Sequence, residues 1–460
     1  MRHPLLVPDL RELIQAGEVS ALQDFLEESH PGRVAEMIED LDPDDGEILF
    51  RSLMPRSRAE VACYLDPETQ TRLVGAMSPR DAADLLHVMS HDERATLVKR
   101  LDEDFVDEVL PHLAQAERDD IRSLASYEPG TAGAAMTTDY VTLSPKITVG
   151  EALERLRYEA PDRETIYCCY IVDDDRRLIG FVSLKKLILS RRAASIDQIM
   201  QRDVISARVD EDQESAARTI DRYALIAIPI VDSHDKLLGI ITHDDAMDIL
   251  RQEQTEDMLA FGAVSASAEP DEGSYLEGSV VDSVRRRIGW LLLLFLGGTI
   301  TRFVIESFDW VDQRFPTIAF DSLIPLLIGT GGNAGSQTVG TVIRGLALGE
   351  IQPGDTWKVV FREMVTGFSL GILLGCIGFV FTWQVHGDSK MFALVIAMAI
   401  LGICVWANGV GALVPLMAKR LNIDPALVSA PLISTLVDAT GLVIFYTITI
   451  ILLIRIAGSG

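Results

Sequence analysis

The chain has 460 residues, more than one hydrophobic core usually organises, so two or three domains are expected. Its net charge of −27 excludes a typical nucleic-acid binder, because such a surface repels phosphate. A hydrophobic content of 48% excludes a disordered acidic chain. The charge is uneven: residues 1–283 carry 29 basic and 58 acidic side chains, whereas residues 284–460 carry 12 and 10. An acidic soluble body, which calls for cations as partners, therefore precedes a nearly uncharged apolar body.

The N-terminal region shows a 12-residue repeat. Pro43, Pro55, Pro67 and Pro79 mark its units, and His91 continues the phase. Proline suits the first position of a helix, and four of the five preceding residues are good N-caps, namely Asp42, Asp66, Ser78 and Ser90. The repeat predicts an all-α solenoid of short helices at about residues 1–130, typical of a scaffold rather than an enzyme.

A second repeat follows at residues 131–252. Segments that begin at Met136 and Met200 each lead into an amphipathic helix and then two strands, with Gly180 and Gly239 at equivalent places. This β–α–β–β–α order resembles a tandem pair of CBS domains, which implies an α/β regulatory module that senses nucleotides or metal ions.

The strand-to-helix junction Thr242-His-Asp-Asp245 resembles the CBS segment that holds a ribose, with helix amides available for phosphate. The resemblance implies an ATP site at Thr242 and Asp245. The equivalent Ser183-Leu-Lys-Lys186 lacks the acid, so one nucleotide site at most is expected. The alternative, that the acids only favour a helix start, stays open.

The C-terminal region contains five apolar stretches long enough to span a bilayer, which predicts an all-α polytopic membrane domain at residues 288–460. The stretches are residues 288–305, 322–343, 364–387, 391–418 and 432–454. Arg285, Arg286 and Arg287 precede the first stretch, so the positive-inside rule places the N-terminal body in the cytoplasm. No signal-peptide pattern opens the chain, which also leads us to expect the soluble part in the cytoplasm. The chain is expected to be a multi-pass protein of the inner (plasma) membrane. Residues 253–287 are expected to form a connecting helix.

Asp438 is the only charged residue within the last four stretches, and a carboxylate there normally faces an aqueous path. Three surrounding segments resemble the MgtE family of magnesium channels: residues 327–337, 406–415 and 422–441. The resemblance covers nearly the whole chain and implies a homodimeric Mg²⁺ channel. The Asp438 carboxylate and the Ser434 carbonyl would face a hydrated ion. Pro431 is expected to free a backbone carbonyl one turn earlier in the chain. Gly329, Gly331, Gly332 and Gly335 are expected to bring helices close together, and Asn333 and Gln337 are either pore-lining or interface groups.

The resemblance also implies cytosolic Mg²⁺ sites that close the channel when Mg²⁺ is high. The matching acids are Asp81, Asp84, Asp212, Glu214, Asp245, Asp248, Glu253, Glu256, Asp257 and Asp424. Ala430 and Ala224 depart from the family pattern, which puts one part of the pore and one sensor site in doubt. Two alternatives stay open: an ion-coupled carrier, and a membrane-anchored nucleotide sensor without transport. No nucleophile–base set, Walker lysine or zinc motif suggests an enzyme.

Overall fold

The computed structural model describes residues 14, 26, 29–159, 165–265, 279–314, 322–386, 390–421 and 423–454. These residues form two compact units, one that ends at Glu253 and one that begins at Gln254. The first part of the predicted solenoid and residues 266–278 of the predicted connecting helix lie outside the described residues.

The first unit begins with the predicted solenoid of short helices. Its helices are α1 Pro31–Asp40, α2 Pro43–Ser52, α3 Pro55–Ala62, α4 Pro67–Gly75, α5 Pro79–Val88, α6 His91–Arg100, α7 Glu103–Val109 and α8 Gln115–Ala125. Five of them start on a proline, and four of these are the predicted repeat positions Pro43, Pro55, Pro67 and Pro79, while Pro31 is an additional one. Each helix buries an apolar stripe in one shared core. Of the four predicted N-caps, Asp66 accepts from the backbone N–H of Thr69 at 2.9 Å and Ser78 from that of Asp81 at 3.2 Å. Asp42 and Ser90 make no such bond, so the capping prediction is half correct.

Two similar three-stranded sheets follow, as expected for a CBS pair. The first CBS domain contains β1 Thr142–Leu143, α10 Val149–Glu159, β2 Cys168–Val172, β3 Leu178–Ser183 and α11 Leu184–Leu189, and α9 Ala132–Ala135 precedes it. The second contains β4 Ala207–Arg208, α13 Gln213–Tyr223, β5 Ala227–Val231, β6 Leu237–Thr242 and α14 His243–Phe261, and α12 Ile196–Ile199 precedes it. In each sheet the first strand pairs parallel to the second, and the second pairs antiparallel to the third.

The repeated glycines mark places where backbone passes backbone. A Cβ on Gly239 would lie 2.7 Å from the carbonyl oxygen of Thr137, and one on Gly180 would lie 2.9 Å from that of Gln201. Each glycine thus admits the segment that begins the other repeat, which explains why Met136 and Met200 recur with them. Ala224 ends α13 in the left-handed region, with φ of 50°.

The second unit contains five long helices after the end of α14: α15 Val280–Arg314, α16 Ile324–Ala347, α17 Thr356–His386, α18 Lys390–Arg420 and α19 Ala430–Thr449. Four of them, α15, α17, α18 and α19, are long and apolar enough to cross a membrane. The glycines and polar side chains of α16 make it less apolar than these four helices, so its membrane span remains a prediction. It packs against both α18 and α19, where Thr338 donates to the buried Asn408 at 2.6 Å.

The predicted connecting helix at 253–287 is not one helix. Residues up to Phe261 belong to α14, residues 262–265 are not helical, and residues from Val280 belong to α15. The reason is local: Gly262 and Ala263 end α14, Ala263 with φ of 58° in the left-handed region.

Candidate ion sites

Asp438 lies in the third turn of α19, a helix that is otherwise apolar. Its side chain is half-buried, and it has no hydrogen-bonding or ion-pairing partner among the residues that the structure describes. A carboxylate at the centre of a membrane helix costs about 2.5–3.5 kcal/mol on insertion scales. In its ionised form, a carboxylate at that cost and without a protein partner is stabilised by water or by a cation.

Helix α16 passes directly beside Asp438. A Cβ on Gly332 would lie 2.3 Å from the Ser434 hydroxyl oxygen and 3.4 Å from Oδ1 of Asp438. Asn333 and Gln337 are exposed on the same helix. The predicted close packing of glycines is confirmed for Gly331, Gly332 and Gly335, but among the described residues no packing neighbour lies within 4 Å of where a Cβ of Gly329 would be.

The prediction that Pro431 frees a backbone carbonyl by removing a hydrogen-bond donor is wrong. Pro431 lies in the first turn of α19, where a backbone N–H would have no intrahelical partner anyway. Its own carbonyl accepts from the Thr435 hydroxyl at 2.9 Å, and the Leu427 carbonyl one turn earlier accepts from the Ser429 N–H at 2.9 Å. Asp424 caps a short 3₁₀ helix by accepting from the Ala426 N–H at 2.8 Å.

A second group of acids lies within the first unit, where the start of α6 meets the start of α14. Oδ1 of Asp92 is buried and has no hydrogen-bond partner among the described residues. The pKa of Glu93 is raised to about 8, mainly by burial and then by the negative charges of Asp92 and Asp245. Burial, followed by the charge of Asp92, raises the pKa of Asp245 to about 7. The negative charge of Asp248 also raises the pKa of Glu93. We call Asp92, Glu93, Asp245 and Asp248 the interdomain acid cluster.

The cluster is held in place by polar bonds between the solenoid and the CBS pair. His91 Nδ1 lies 3.0 Å from Asp120, and its Nε2 lies 3.3 Å from Asp139 at the start of the first CBS domain. The bond from Thr138 to Asp120, at 2.8 Å, closes the same network. Helix α6 is therefore fixed at its first turn, next to the two acids that follow His91.

The sequence did not single out Asp92 and Glu93. They follow Ser90 at the start of a helix, where acids are favourable in any helix, as Asp44 and Asp45 are in α2. Only the approach of α14 from about 150 residues later distinguishes them, and one sequence carries no signal of that approach.

Asp245 and Thr242, the predicted ribose-binding pair, bond to each other. The Asp245 carboxylate accepts from both the backbone N–H and the hydroxyl of Thr242, so it caps its own helix. This is the helix-start role that the sequence left open, and a ribose would have to share or replace these bonds.

The remaining predicted acids do not converge. Asp81 accepts from the Ser78 hydroxyl at 2.6 Å, and Asp84 is exposed one turn later on α5. Asp212 caps α13 at the Glu214 N–H, 3.1 Å away, and Glu214 pairs with Arg218.

Asp248, a member of the interdomain acid cluster, also pairs with Arg251 at 3.1 Å. The acids further along α14 are spread out, and Glu253 accepts from Gln213 at 3.1 Å. Glu256 and Asp257 lie on later turns, in the second unit. Across the described ranges, no set of three or more His, Cys, Asp or Glu side chains is arranged as a metal site.

Comparisons with known proteins agree along the whole chain. Residues 324–448 match the MgtE family of divalent cation transporters, residues 29–130 the MgtE intracellular N domain, and residues 132–192 and 196–252 the CBS domain. The chain is 37% identical to the magnesium transporter MgtE of Thermus thermophilus over 97% of this chain and 98% of that protein. It is 33% identical to that of Enterococcus faecalis, with 72% of this chain and 71% of that protein covered. A solved structure of the cytosolic domain of the Mg²⁺ channel MgtE in complex with ATP is 34% identical, with a TM-score of 0.51, 53% of this chain and 100% of that chain covered.

Proposed function

The chain belongs to the MgtE family of magnesium transporters, and we propose that it is a homodimeric Mg²⁺ channel of the inner (plasma) membrane whose ion path passes Asp438. Transport of Mg²⁺ follows from the family. The channel mechanism, the dimer, the cellular membrane and the gate are our proposals.

The observation that carries the ion path is the partnerless carboxylate of Asp438, with α16 passing beside it at Gly332. Mg²⁺ gives up its waters reluctantly and usually keeps several of them when it binds. A path can hold such an ion through its waters, with a carboxylate and backbone carbonyls as acceptors. In a dimer two copies of Asp438 could face one ion, which would offset the cost of both charges.

We infer further that cytosolic Mg²⁺ closes the channel by binding the interdomain acid cluster. The raised pKa values of Glu93 and Asp245 show that their charges are unfavourable where they lie. A divalent cation would relieve that repulsion and would link α6 of the solenoid to α14 of the second CBS domain. Because the acids are not arranged as a complete ligand shell, we expect one or two carboxylates to hold the ion together with its own waters.

Helix α14 is the element that can carry this effect onward. It runs without a break from Asp245 to Phe261. In the second unit, the Phe261 ring lies within 3.4 Å of where a Cβ of Gly340 on α16 would be. Mg²⁺ can shift the closed–open equilibrium only by its difference in affinity for the two states, and several ion sites acting together would supply a larger difference than one.

ATP is the second proposed ligand, because a similar cytosolic domain has been solved with ATP. We propose one site per chain at the junction of Thr242 and Asp245. Isothermal titration of ATP into the detergent-solubilised chain should give one site, and Thr242→Val should weaken it. An absence of ATP heat in the unaltered chain would end this proposal and would leave the channel proposal intact.

Mg²⁺ uptake into proteoliposomes that contain a Mg²⁺-sensitive dye tests the ion path. Asp438→Asn should abolish uptake without loss of folding. Glu350→Gln, which neutralises an exposed acid between α16 and α17, is the matched control and should take up Mg²⁺ like the unaltered chain. Unaltered uptake in Asp438→Asn would refute the path, and uptake that depends on a second ion gradient would favour a carrier.

A further inference from the structure

Helix α17 lies at the edge of the membrane unit. Among the described helices it packs mainly along α18, whereas α19, which carries Asp438, packs against α15, α16 and α18. The contact with α18 is close, because a Cβ on Gly367 would lie 2.6 Å from the Cys404 carbonyl oxygen and one on Gly375 would lie 2.8 Å from that of Ala397. One side of α17 therefore belongs to α18, and the other side faces the surroundings of the bundle.

The first two turns of α17 expose two aromatic rings and two cations. Trp357 and Phe361 stand one turn apart and are 71% and 70% exposed, and Phe368 continues the apolar surface further along the helix. Lys358 and Arg362 are also exposed one turn apart, and they are the only Lys or Arg residues in the sequence of α17. The positive-inside rule places this end of α17 at the cytoplasmic face of the membrane, where aromatic and basic side chains meet lipid headgroups.

The two cations lack an acidic partner among the residues that the structure describes. Asp355, which lies three residues before Lys358, instead accepts from the backbone N–H of Gln352 at 3.3 Å. Like charges one turn apart on a helix repel each other, so Lys358 and Arg362 destabilise this end of α17 as they stand. An anion bound between them would remove the repulsion.

We propose that the first two turns of α17 bind one anionic phospholipid of the cytoplasmic leaflet, with its phosphate between Lys358 and Arg362 and an acyl chain along Phe361 and Phe368. Basic residues beside a membrane helix attract anionic headgroups. A zwitterionic lipid carries the same phosphate, but its own ammonium group offsets that charge, so the site prefers a lipid of net negative charge. A second copy of the chain fits this patch worse, since a two-fold interface through it would place four cations together. The inference rests on the proposed orientation in the membrane and is independent of the ion path.

The experiment titrates the detergent-solubilised full chain with phosphatidylglycerol, or with phosphatidylcholine of the same acyl chains, and counts bound lipids by native mass spectrometry. Lys358→Gln/Arg362→Gln is the test variant. Arg285→Gln/Arg287→Gln is the matched control, because it removes two exposed cations at the start of α15 that are two residues apart and so do not face one phosphate together. Each basic residue near an anionic lipid contributes roughly five-fold to affinity, so the test variant should bind phosphatidylglycerol about 30-fold more weakly. The control should bind it like the unaltered chain.

Equal weakening in the two double variants would overturn the proposal, because it would show only a general attraction to a basic membrane edge. Equal binding of the two lipids by the unaltered chain would also overturn it. So would displacement of phosphatidylglycerol by inorganic phosphate alone, because the site would then hold a free anion.

All four substituted cations are exposed, so both double variants should unfold at the temperature of the unaltered chain in phosphatidylcholine. If the test variant does not fold, Lys358→Gln and Arg362→Gln are compared singly with Arg285→Gln. Each of the first two should lose roughly five-fold in affinity for phosphatidylglycerol, and a loss no larger than that of Arg285→Gln would overturn the proposal. None of these variants alters Asp438, so the lipid site and the ion path fail separately.

Discussion

Neutralising Glu93 should remove much of the coupling between pH and Mg²⁺ in the soluble unit. The pKa of Glu93 is raised from 4.5 to about 8, mainly by burial and then by Asp92 and Asp245. Each pKa unit corresponds to about 1.4 kcal/mol, so ionising Glu93 in the folded protein costs at most a few kcal/mol. The cost is an upper bound because partial exposure to solvent screens the charge. Glu93→Gln keeps the shape and removes that cost.

The sign follows from linkage. A carboxyl whose pKa is raised on folding binds its proton more tightly in the folded state. Its favourable contribution to folding stability is therefore complete below the pKa of the unfolded state, about 4.5. That contribution is lost as the pH rises towards about 8. Without Mg²⁺, the unfolding temperature of the full chain in detergent should fall between about pH 5 and pH 8, and it should fall less in Glu93→Gln.

Mg²⁺ acts in the opposite direction, because it binds the ionised carboxylates and displaces their protons. Its stabilising effect should be small at pH 6 and should grow through pH 8 in the unaltered chain. A weakly buffered solution at pH 7 should show proton release on Mg²⁺ addition, and Glu93→Gln should release fewer protons. Glu108→Gln, an exposed acid on α7, is the matched control. A Mg²⁺ effect independent of pH, or identical in Glu93→Gln and the unaltered chain, would refute the assignment of the interdomain acid cluster.

Two predictions concern the folded state of the first unit and are read from unfolding temperatures. Gly239→Ala should destabilise it by about 1–3 kcal/mol, because the new methyl group would lie 2.7 Å from the Thr137 carbonyl. Gly75→Ala adds a methyl group where there is open space and should not destabilise it. Equal stabilities of the two variants would contradict the close approach at Gly239. Asp66→Ala should cost about 1 kcal/mol through its lost N-cap bond, whereas Asp84→Ala, which removes an exposed acid inside α5, should cost less; the reverse order would contradict the capping assignment.

The solenoid and the CBS pair were predictable because their signals are local. A proline at the first helical position every 12 residues fixes where each helix begins, and the helices start at Pro43, Pro55, Pro67 and Pro79 as expected. The CBS repeat was readable because its glycines occupy equivalent places in both copies, for the same steric reason.

The membrane region was predictable from apolar length for four of its helices. Helix α16 is the exception, because the glycines that let it approach its neighbours also lower its hydropathy. The prediction that Pro431 frees a carbonyl was wrong because the sequence does not show where α19 begins. With Ala430 as the first residue, proline costs no hydrogen bond.

The candidate sites were predictable where one residue is unusual for its surroundings, and not where a site depends on distant segments meeting. Asp438 stands out as a charge in an apolar stretch. Burial raises the pKa of Asp92. The pKa of Glu93 is raised by burial, then by the charge of Asp92 and then by that of Asp245, a residue of another domain. That effect belongs to the packing of α6 against α14, which neither segment encodes alone.

We propose that Mg²⁺ crosses the membrane by a channel path that depends on Asp438. The most direct measurement is the current across a planar bilayer that contains the purified protein, with Mg²⁺ as the only permeant cation. We expect a current that reverses at the Mg²⁺ equilibrium potential in the unaltered chain and in Glu350→Gln, and no current in Asp438→Asn. A Mg²⁺ current of unaltered size in Asp438→Asn, or Mg²⁺ transport that appears only with a second ion gradient, would contradict it.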